Sequence, residues 1–162
     1  MNKSVYILIA LFTLCISSCS DENDIFDSSS ARRMNAMLQE CNEILTGAEN
    51  GWIFKYGGFQ LYMTFSKEGE VKVTAESPIL ESPGEQVTSM YQVKADMGPV
   101  LSFDTYNRIL HQFSDPDPDG LGYEGDYEFV ILTINKEGIE LRGKKTGVKM
   151  QMIPLPAGTT WE

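Results

Sequence analysis

Histidine, cysteine and basic residues are scarce in this chain of 162 residues. It has one histidine, three cysteines, and 13 lysines and arginines against 23 aspartates and glutamates, a formal net charge of −10. This acidic excess opposes binding to nucleic-acid phosphates or to an anionic membrane surface, so we expect no nucleic-acid partner. Long apolar runs are also lacking, because the longest has about a dozen residues, fewer than the ~18 that span a bilayer as a helix.

That short apolar run belongs to an N-terminus with the layout of a bacterial lipoprotein signal. Lys3 precedes the run Val5–Ile16, in which Thr13 is the only polar side chain, and two serines stand directly before Cys19. A charged residue, a short apolar run and small residues form an export peptide that is cleaved off. We assign residues 1–18 to this signal and expect the Cys19 thiol to carry the lipid that anchors the protein. The alternative is an ordinary secretory peptide followed by an incidental cysteine.

The mature chain is predicted to have a tether and one domain. Residues 19–27 form the lipidated cysteine and an acidic tether, too poor in apolar residues to fold alone. Residues 28–162 fit a single helix-plus-β domain. Lys3 is the only charged residue of the signal, so the mature chain keeps 12 basic and 23 acidic residues, a formal charge of −11. That charge suits a soluble exported domain or a cation binder.

The spacing at which apolar residues recur changes once along the predicted domain. Residues 28–46 are predicted to form an amphipathic helix whose apolar residues recur at spacings of four, three and four, namely Met34, Leu38, Cys41 and Leu45. From Gly51 onward the period falls to two, which indicates β-strands. The predicted strands lie near residues 51–57, 59–65, 70–76, 86–95, 99–103, 107–113, 126–134, 139–143 and 147–153.

These strands predict a mainly β fold of the α+β class. Most are joined by short turns and have one apolar face, so they favour a curved antiparallel sheet, barrel-like or half-barrel. The N-terminal amphipathic helix then plugs or flanks the sheet.

One acidic loop has the spacing of a calcium site. Asp115, Asp117 and Asp119 alternate with prolines, a glycine stands sixth, and Asp126 stands twelfth, where an EF-hand has its bidentate ligand. Strands instead of helices flank the loop, and prolines fill its second and fourth positions. Calcium is thus one interpretation and the only cofactor suggested; a solvated acidic loop is the other.

A basic group marks the chain near its C-terminal end. Arg142, Lys144 and Lys145, with Lys149 nearby, form the one positive spot on an acidic protein. It either binds an anionic ligand or lipid headgroup, or is the solvated tip of a hairpin.

Aromatic residues offer a third kind of site, because sugar-binding surfaces place aromatic faces beside polar groups. Exposed members of the set can stack on a glycan, and buried members are core: Trp52, Phe54, Tyr56, Phe59, Tyr62, Tyr91, Phe103, Tyr106, Tyr123 and Tyr127. Catalytic motifs such as a nucleophile elbow or paired carboxylates are missing, so we expect no enzyme. Cys41 and His111 lie in apolar segments and are expected to be structural.

Five segments together resemble a known family. They are Ala31–Asn35, Glu49–Trp52, Gly98–Asn107, Gly125–Phe129 and Leu141–Gly147. The chain is similar to uncharacterised Bacteroidetes lipoproteins of the domain of unknown function 4302 type, often encoded near starch-utilisation-type uptake systems of the outer membrane. Members are usually much longer, so the resemblance implies the N-terminal part of such a protein. The family has no established activity or catalytic residues.

The function expected from these features is that of a lipid-anchored lipoprotein on the outer membrane, facing the cell exterior. It would serve as an accessory ligand- or glycan-binding component of nutrient uptake, in contact with outer-membrane uptake proteins. Two alternatives stay open. One is a structural or protein-interaction module without a small ligand, and the other is part of an enzyme completed by a missing C-terminal half.

Overall fold

A computed structural model describes residues 28–76, 79–115 and 125–159. The chain divides into two compact units, residues 1–33 and 34–162. In the first unit, the described residues include the first turn of helix α1, Ser30–Thr46. The Ser29 hydroxyl accepts a hydrogen bond from the Arg32 N–H at 3.3 Å, as an N-cap residue does. The helix predicted over 28–46 is therefore present and begins at Ser30.

The second unit contains the rest of α1 and a single antiparallel sheet. Its further elements are β1 (Trp52–Tyr56), β2 (Phe59–Phe65), β3 (Glu70–Ala75), β4 (Val87–Met90), β5 (Gln92–Asp96), β6 (Gly98–Ser102), α2 (Arg108–His111), β7 (Glu128–Asn135), β8 (Gly138–Gly143) and β9 (Lys149–Pro154). The order across the sheet is β4-β3-β2-β1-β9-β8-β7-β6-β5. Apart from β4 and β5, strands that follow each other in the chain pair with each other, and β9 returns to pair with β1.

The sheet curls until its two ends meet. Strands β4 and β5 stand at opposite ends of the strand order, yet only Tyr91 separates them in the chain. Since one residue spans at most about 3.6 Å, the sheet is nearly closed into a barrel. Tyr91 also donates its N–H to the Gly69 oxygen at 2.8 Å and its hydroxyl to the Ser66 oxygen at 3.0 Å. The predicted mainly β, barrel-like fold is confirmed, although the strand predicted over 86–95 is divided at Tyr91.

Side chains fill the interior of the barrel. Along β1 the buried residues alternate with more exposed ones, so that Trp52, Phe54 and Tyr56 all point inward. Phe54 meets Phe129 of β7 edge to face, with ring centroids 5.3 Å apart. A barrel of about eight strands is just wide enough to be filled in this way. The interior is therefore a packed core, and ligand sites have to be sought on the outside and at the ends.

Helix α1 is joined to the sheet through its last two turns. Cys41 and Leu45 are fully buried in the core cluster. The Trp52 indole N–H donates a hydrogen bond of 2.9 Å to the backbone oxygen of Leu45, one of the carbonyls that a helix C-terminus leaves unpaired. The helix ends at Thr46. Gly47 follows directly, where a β-carbon would lie only 2.8 Å from the Glu43 backbone oxygen.

The strand predicted over 107–113 is wrong, because this segment contains the short helix α2. Asn107 is completely buried, and its Oδ1 accepts hydrogen bonds from the N–H groups of Ile109 and Leu110 at 3.2 and 3.4 Å. This side-chain cap starts a helical turn. The apolar residues of the segment then face the core from a turn instead of a strand.

Candidate functional site

Residues 103–115, which follow β6, close one end of the barrel, which we call the capped end. Phe113, just after α2, packs against Tyr56 at the end of β1, with ring centroids 4.6 Å apart. Phe59 at the start of β2 lies 5.8 Å from the Phe113 ring. Because Phe113 is fully buried, residues 103–115 are anchored to the core of the barrel.

Asn107 and Arg108 attach α2 to the neighbouring elements. The Asn107 Nδ2 donates to the Val87 oxygen at 3.2 Å and to the Ser89 hydroxyl at 3.1 Å, both on β4. The Arg108 guanidinium forms a forked pair with the Glu85 carboxylate, and this hydrogen bonding holds the pKa of Glu85 below its ordinary value. The Asn107 side chain therefore links α2 to β4, and the Arg108–Glu85 ion pair links α2 to the loop before β4.

Three rings stand on the outside of the capped end and form what we call the aromatic stack. His111 lies nearly parallel to Tyr127, with centroids 5.4 Å apart and an interplanar angle of 18°. The Tyr106 ring centroid lies 5.2 Å from that of His111, and the two ring planes are inclined at 43°. Tyr106 is 66% exposed and Tyr127 is 47% exposed. The stack therefore leaves large aromatic surfaces open to solvent.

Local hydrogen bonds hold the stack in place. The Nδ1 of His111 lies 3.1 Å from the backbone oxygen of Asn107, which fixes the imidazole against its own helix. The Tyr106 hydroxyl lies 3.4 Å from the Asp115 carboxylate. His111, predicted to be structural, is half-buried and contacts the rings of two exposed tyrosines. Sequence reasoning missed this arrangement because Tyr127 is distant from His111 in the chain, and the three rings meet only after α2 forms.

A depression of about 300 Å³ adjoins Tyr127. Its lining includes Ser114, residues 125–128 and the two lysines 144 and 145 of the β8–β9 turn. It therefore brings together residues from two of the predicted sites. Arg142, the third member of the predicted anion site, lies on β8 opposite Lys149 and does not line this depression.

Asp126 lies under the depression and holds the β8–β9 turn. One of its carboxylate oxygens accepts the Lys145 N–H at 2.6 Å, and the other accepts the Thr146 N–H at 3.1 Å and the Thr146 hydroxyl. Asp126 is only 3% exposed. Both oxygens are thus occupied by donors within the protein, as expected of a buried carboxylate in a structural role.

The other members of the predicted calcium loop are only partly described. Asp115 is exposed and contacts Tyr106, whereas Asp117 and Asp119 lie outside the described residues, as does the predicted lipidation site Cys19. Within residues 28–76, 79–115 and 125–159, no three His, Cys, Asp or Glu side chains are grouped so that they could hold a metal ion. Calcium at this loop stays a prediction.

Lys144 is engaged in ion pairs on the outer face of the sheet. Its ammonium lies 2.6 Å from the Asp96 carboxylate and 2.8 Å from that of Glu128. Hydrogen bonds from Lys144 and then Lys94 lower the pKa of Glu128 to about 2, and hydrogen bonds to Asp96 and Glu128 raise the pKa of Lys144. Lys145 is exposed and forms no ion pair among the described residues. An anion at the depression would therefore be met by the ammonium of Lys145.

Two glycines permit the close packing at the capped end. A β-carbon at Gly125 would collide with the Tyr56 hydroxyl and the Phe113 backbone oxygen. One at Gly143 would collide with the Asp126 carboxylate. Neither glycine has a positive φ, so space and not backbone conformation requires them. Both stand in segments that carry the resemblance to a known family.

A family model described as a domain of unknown function, DUF4302, matches residues 22–162. The chain belongs to the DUF4302 family. This confirms the membership that the five sequence segments indicated. No curated protein and no solved structure matches the chain.

Cys41 is the one cysteine among the described residues of this DUF4302 domain. It is fully buried, and burial together with the nearby charge of Glu40 raises the pKa of its thiol to about 11. A thiol that stays protonated is a poor nucleophile. Cys41 therefore acts as a small apolar residue of the core, as its place in the helical pattern predicted.

In the described part of this DUF4302 domain, no helix is both long enough and apolar enough to cross a bilayer.

Proposed function

We propose that this protein is an exported, lipid-anchored accessory component of nutrient uptake that binds a glycan through the aromatic stack. The observation that carries the binding proposal is the exposure of Tyr106 and Tyr127, whose rings both contact His111. Aromatic faces pack well against the C–H faces of sugar rings, and polar groups beside them bind the hydroxyls.

The depression beside Tyr127 supplies such polar groups. The Lys145 ammonium donates hydrogen bonds, and the Ser114 hydroxyl, which donates to the His111 backbone oxygen at 2.8 Å, can accept one. The lining has no strong excess of positive or negative charge, because Lys144 forms ion pairs with Glu128 and Asp96. These features favour a neutral glycan, with one sugar ring against Tyr127 and its hydroxyls toward the depression.

Affinity gel electrophoresis tests the binding proposal. The full chain, purified in detergent, is run through gels containing starch, xylan, pectin or a β-glucan, and we expect at least one of these polysaccharides to retard it. Tyr106→Ala with Tyr127→Ala should weaken that binding about tenfold, since an aromatic contact contributes about 0.5–1.5 kcal/mol. Tyr127→Phe keeps the ring and should bind nearly as well as the parent chain.

Met37→Ala is the matched control, because Met37 is 46% exposed and lies on α1, outside the lining of the depression. Equal retardation of the double tyrosine variant and this control would contradict the binding proposal. So would a folded parent chain that no polysaccharide retards.

The proposed anchoring rests on the N-terminal sequence pattern, with Cys19 as the modified residue. Mass spectrometry of the N-terminal peptide from membranes should show a lipid on Cys19 and no residues 1–18. Cys19→Ala should release the protein from the membrane fraction. Digestion of intact cells with an added protease tests the proposed exposure on the cell exterior, where an outer-membrane marker facing the periplasm serves as the protected control.

The proposed place in nutrient uptake rests on the family resemblance. Co-purification from detergent-solubilised membranes should recover an outer-membrane uptake protein with the tagged chain. The Cys19→Ala chain, which should no longer share its membrane, is the control for association after lysis.

A further inference from the structure

A cleft of about 770 Å³ lies between the last turns of α1 and the β7–β8 turn, and we call it the helix cleft. It is open to solvent, and its volume falls in the range of about 300–1,000 Å³ that ligand sites in proteins occupy. It is distinct from the aromatic stack, whose residues do not line it. An inference about this cleft therefore goes beyond the proposed glycan binding.

The floor of the helix cleft is apolar. It is formed by Ile44, Ala48 and Ile134, half-buried side chains that pack on the core by one side, and by the half-buried Pro154. Trp52 lies beneath them, almost completely buried. Because Trp52 and Leu45 tie the helix to β1, the floor is held rigidly and is ready to receive an apolar side chain.

The rim of the helix cleft is acidic. Glu40 and Glu43 lie on α1 and Glu137 lies across the cleft at the β7–β8 turn, whereas Lys136 is the only basic residue among the described residues of the lining. Glu43 accepts a hydrogen bond from the neutral Gln39 at 2.9 Å. None of the three glutamates forms an ion pair with another described residue.

Ion pairs reduce the net charge at two other places on the described surface. At the capped end, Arg108 is paired with Glu85, and on the sheet Lys144 is paired with Glu128. The described lining of the helix cleft instead presents three carboxylates and one ammonium, a net charge of −2, above an apolar floor. An occupant that complements both features has to be basic and partly apolar.

We propose that the helix cleft docks a basic, partly apolar segment of a partner protein. An apolar side chain of that segment packs on the floor, and adjacent arginines or lysines pair with the acidic rim. Arginine suits the rim well because its planar guanidinium binds carboxylates through two parallel hydrogen bonds.

Fluorescence anisotropy with short labelled peptides tests this proposal on the full chain in detergent. The probe is a peptide of two arginines and two leucines separated by glycine and serine, and detergent micelles alone give the blank. We expect saturable binding that weakens as salt rises, since exposed ion pairs are screened by salt. A peptide with glutamates in place of the arginines should not bind, and one without leucines should bind far more weakly.

Matched variants locate the binding site. Glu40→Gln with Glu43→Gln should weaken binding about three- to tenfold, as expected for the loss of two exposed ion pairs. Glu68→Gln with Glu70→Gln changes the net charge equally at the β2–β3 turn, outside the cleft, and should bind as the parent does. Because all four glutamates are exposed, both variants should keep the parent's melting temperature.

Several results would overturn the proposal. These are no saturable binding to the folded parent chain, equal weakening by the two double variants, or equal binding of the leucine-free peptide. A leucine-only peptide that binds as well as the basic one would overturn it in favour of an apolar ligand. A second copy of this chain is the remaining possible occupant, and light scattering detects it. Self-association that only Glu40→Gln with Glu43→Gln abolishes would overturn the proposal in favour of an interface between two copies. None of these results depends on glycan binding at the aromatic stack.

Discussion

Replacement of Asp126 by alanine should destabilise the protein by about 3 kcal/mol, even without any metal ion. The carboxylate accepts two backbone N–H groups and one hydroxyl from the β8–β9 turn, while Asp126 itself is nearly completely buried. A hydrogen bond to a charged acceptor contributes about 1.5–3 kcal/mol. We expect a total near one such bond because Lys145 is exposed and Thr146 is half-buried, so water replaces some of the lost bonds.

Thermal unfolding followed by circular dichroism measures this loss. For a domain of this size, about 3 kcal/mol corresponds to a Tm lower by about 10 °C. Asp126→Asn keeps one carbonyl oxygen and should fall between the parent chain and the alanine variant. Asp96→Ala is the control, because Asp96 forms an exposed ion pair with Lys144 and such pairs contribute about 0–1 kcal/mol.

The same melts separate the structural role of Asp126 from calcium binding. If donors in the turn occupy both oxygens, millimolar calcium and a chelator should leave the Tm of the parent chain unchanged. A Tm that calcium raises in the parent chain but not in Asp126→Ala would refute this reasoning and support the predicted calcium loop. A loss below about 0.5 kcal/mol in the alanine variant would also refute it, since buried hydrogen bonds would then contribute nothing.

Three further predictions concern other parts of the domain. Because Lys144 and Lys94 hold the pKa of Glu128 at about 2, below its ordinary 4.5, the ion pairs stabilise the fold above pH 4.5 and are lost as the pH falls toward 2. In Glu128→Gln, the free energy of unfolding should therefore fall less between pH 4.5 and pH 2 than in the parent chain, by about 1–2 kcal/mol for these partly exposed groups. Urea titrations across this pH range measure the difference, and the same pH dependence in both chains would contradict the prediction. Gly125→Ala should cost more than about 2 kcal/mol because its β-carbon collides with the Tyr56 hydroxyl, and a chain that melts at the parent temperature would disprove the tight packing. Cys41 should resist alkylation by iodoacetamide until urea unfolds the chain, as mass spectrometry of its peptide can check; rapid labelling of the folded protein would show that the thiol is accessible.

The sequence carried strong local signals for most of the fold. The helix was predictable because its apolar residues follow a period of 3.6 from Met34 to Leu45. Most strands were predictable because apolar and polar residues alternate, as in β2. The segment around Ile109 was misassigned, because a short apolar run fits either a strand or a buried turn of helix. Its signal was Asn107, which caps α2 and is typical of the residue before a helix.

The candidate sites were less predictable, because they join segments that are distant in the chain. Lys144, Lys145 and Asp126 were each selected from the sequence, for two separate sites, and the fold brings them together at one depression. Their engagement in ion pairs and hydrogen bonds depends on partners on other strands, such as Asp96. Residue type and spacing contain no information on those partners.

Composition and periodicity by themselves determined the acidic character of the domain and a mainly β fold with one long helix, and the order of residues in five segments indicated its family. The acidic character follows from composition alone, and the secondary structure follows from local residue order, which repeats at the period of a helix or a strand. Only the tertiary structure decided that the sheet closes at Tyr91, that Tyr106, His111 and Tyr127 form one exposed stack, and that the glutamates of α1 face an apolar cleft. Such features depend on which strands become neighbours, and that is set by packing of the whole core.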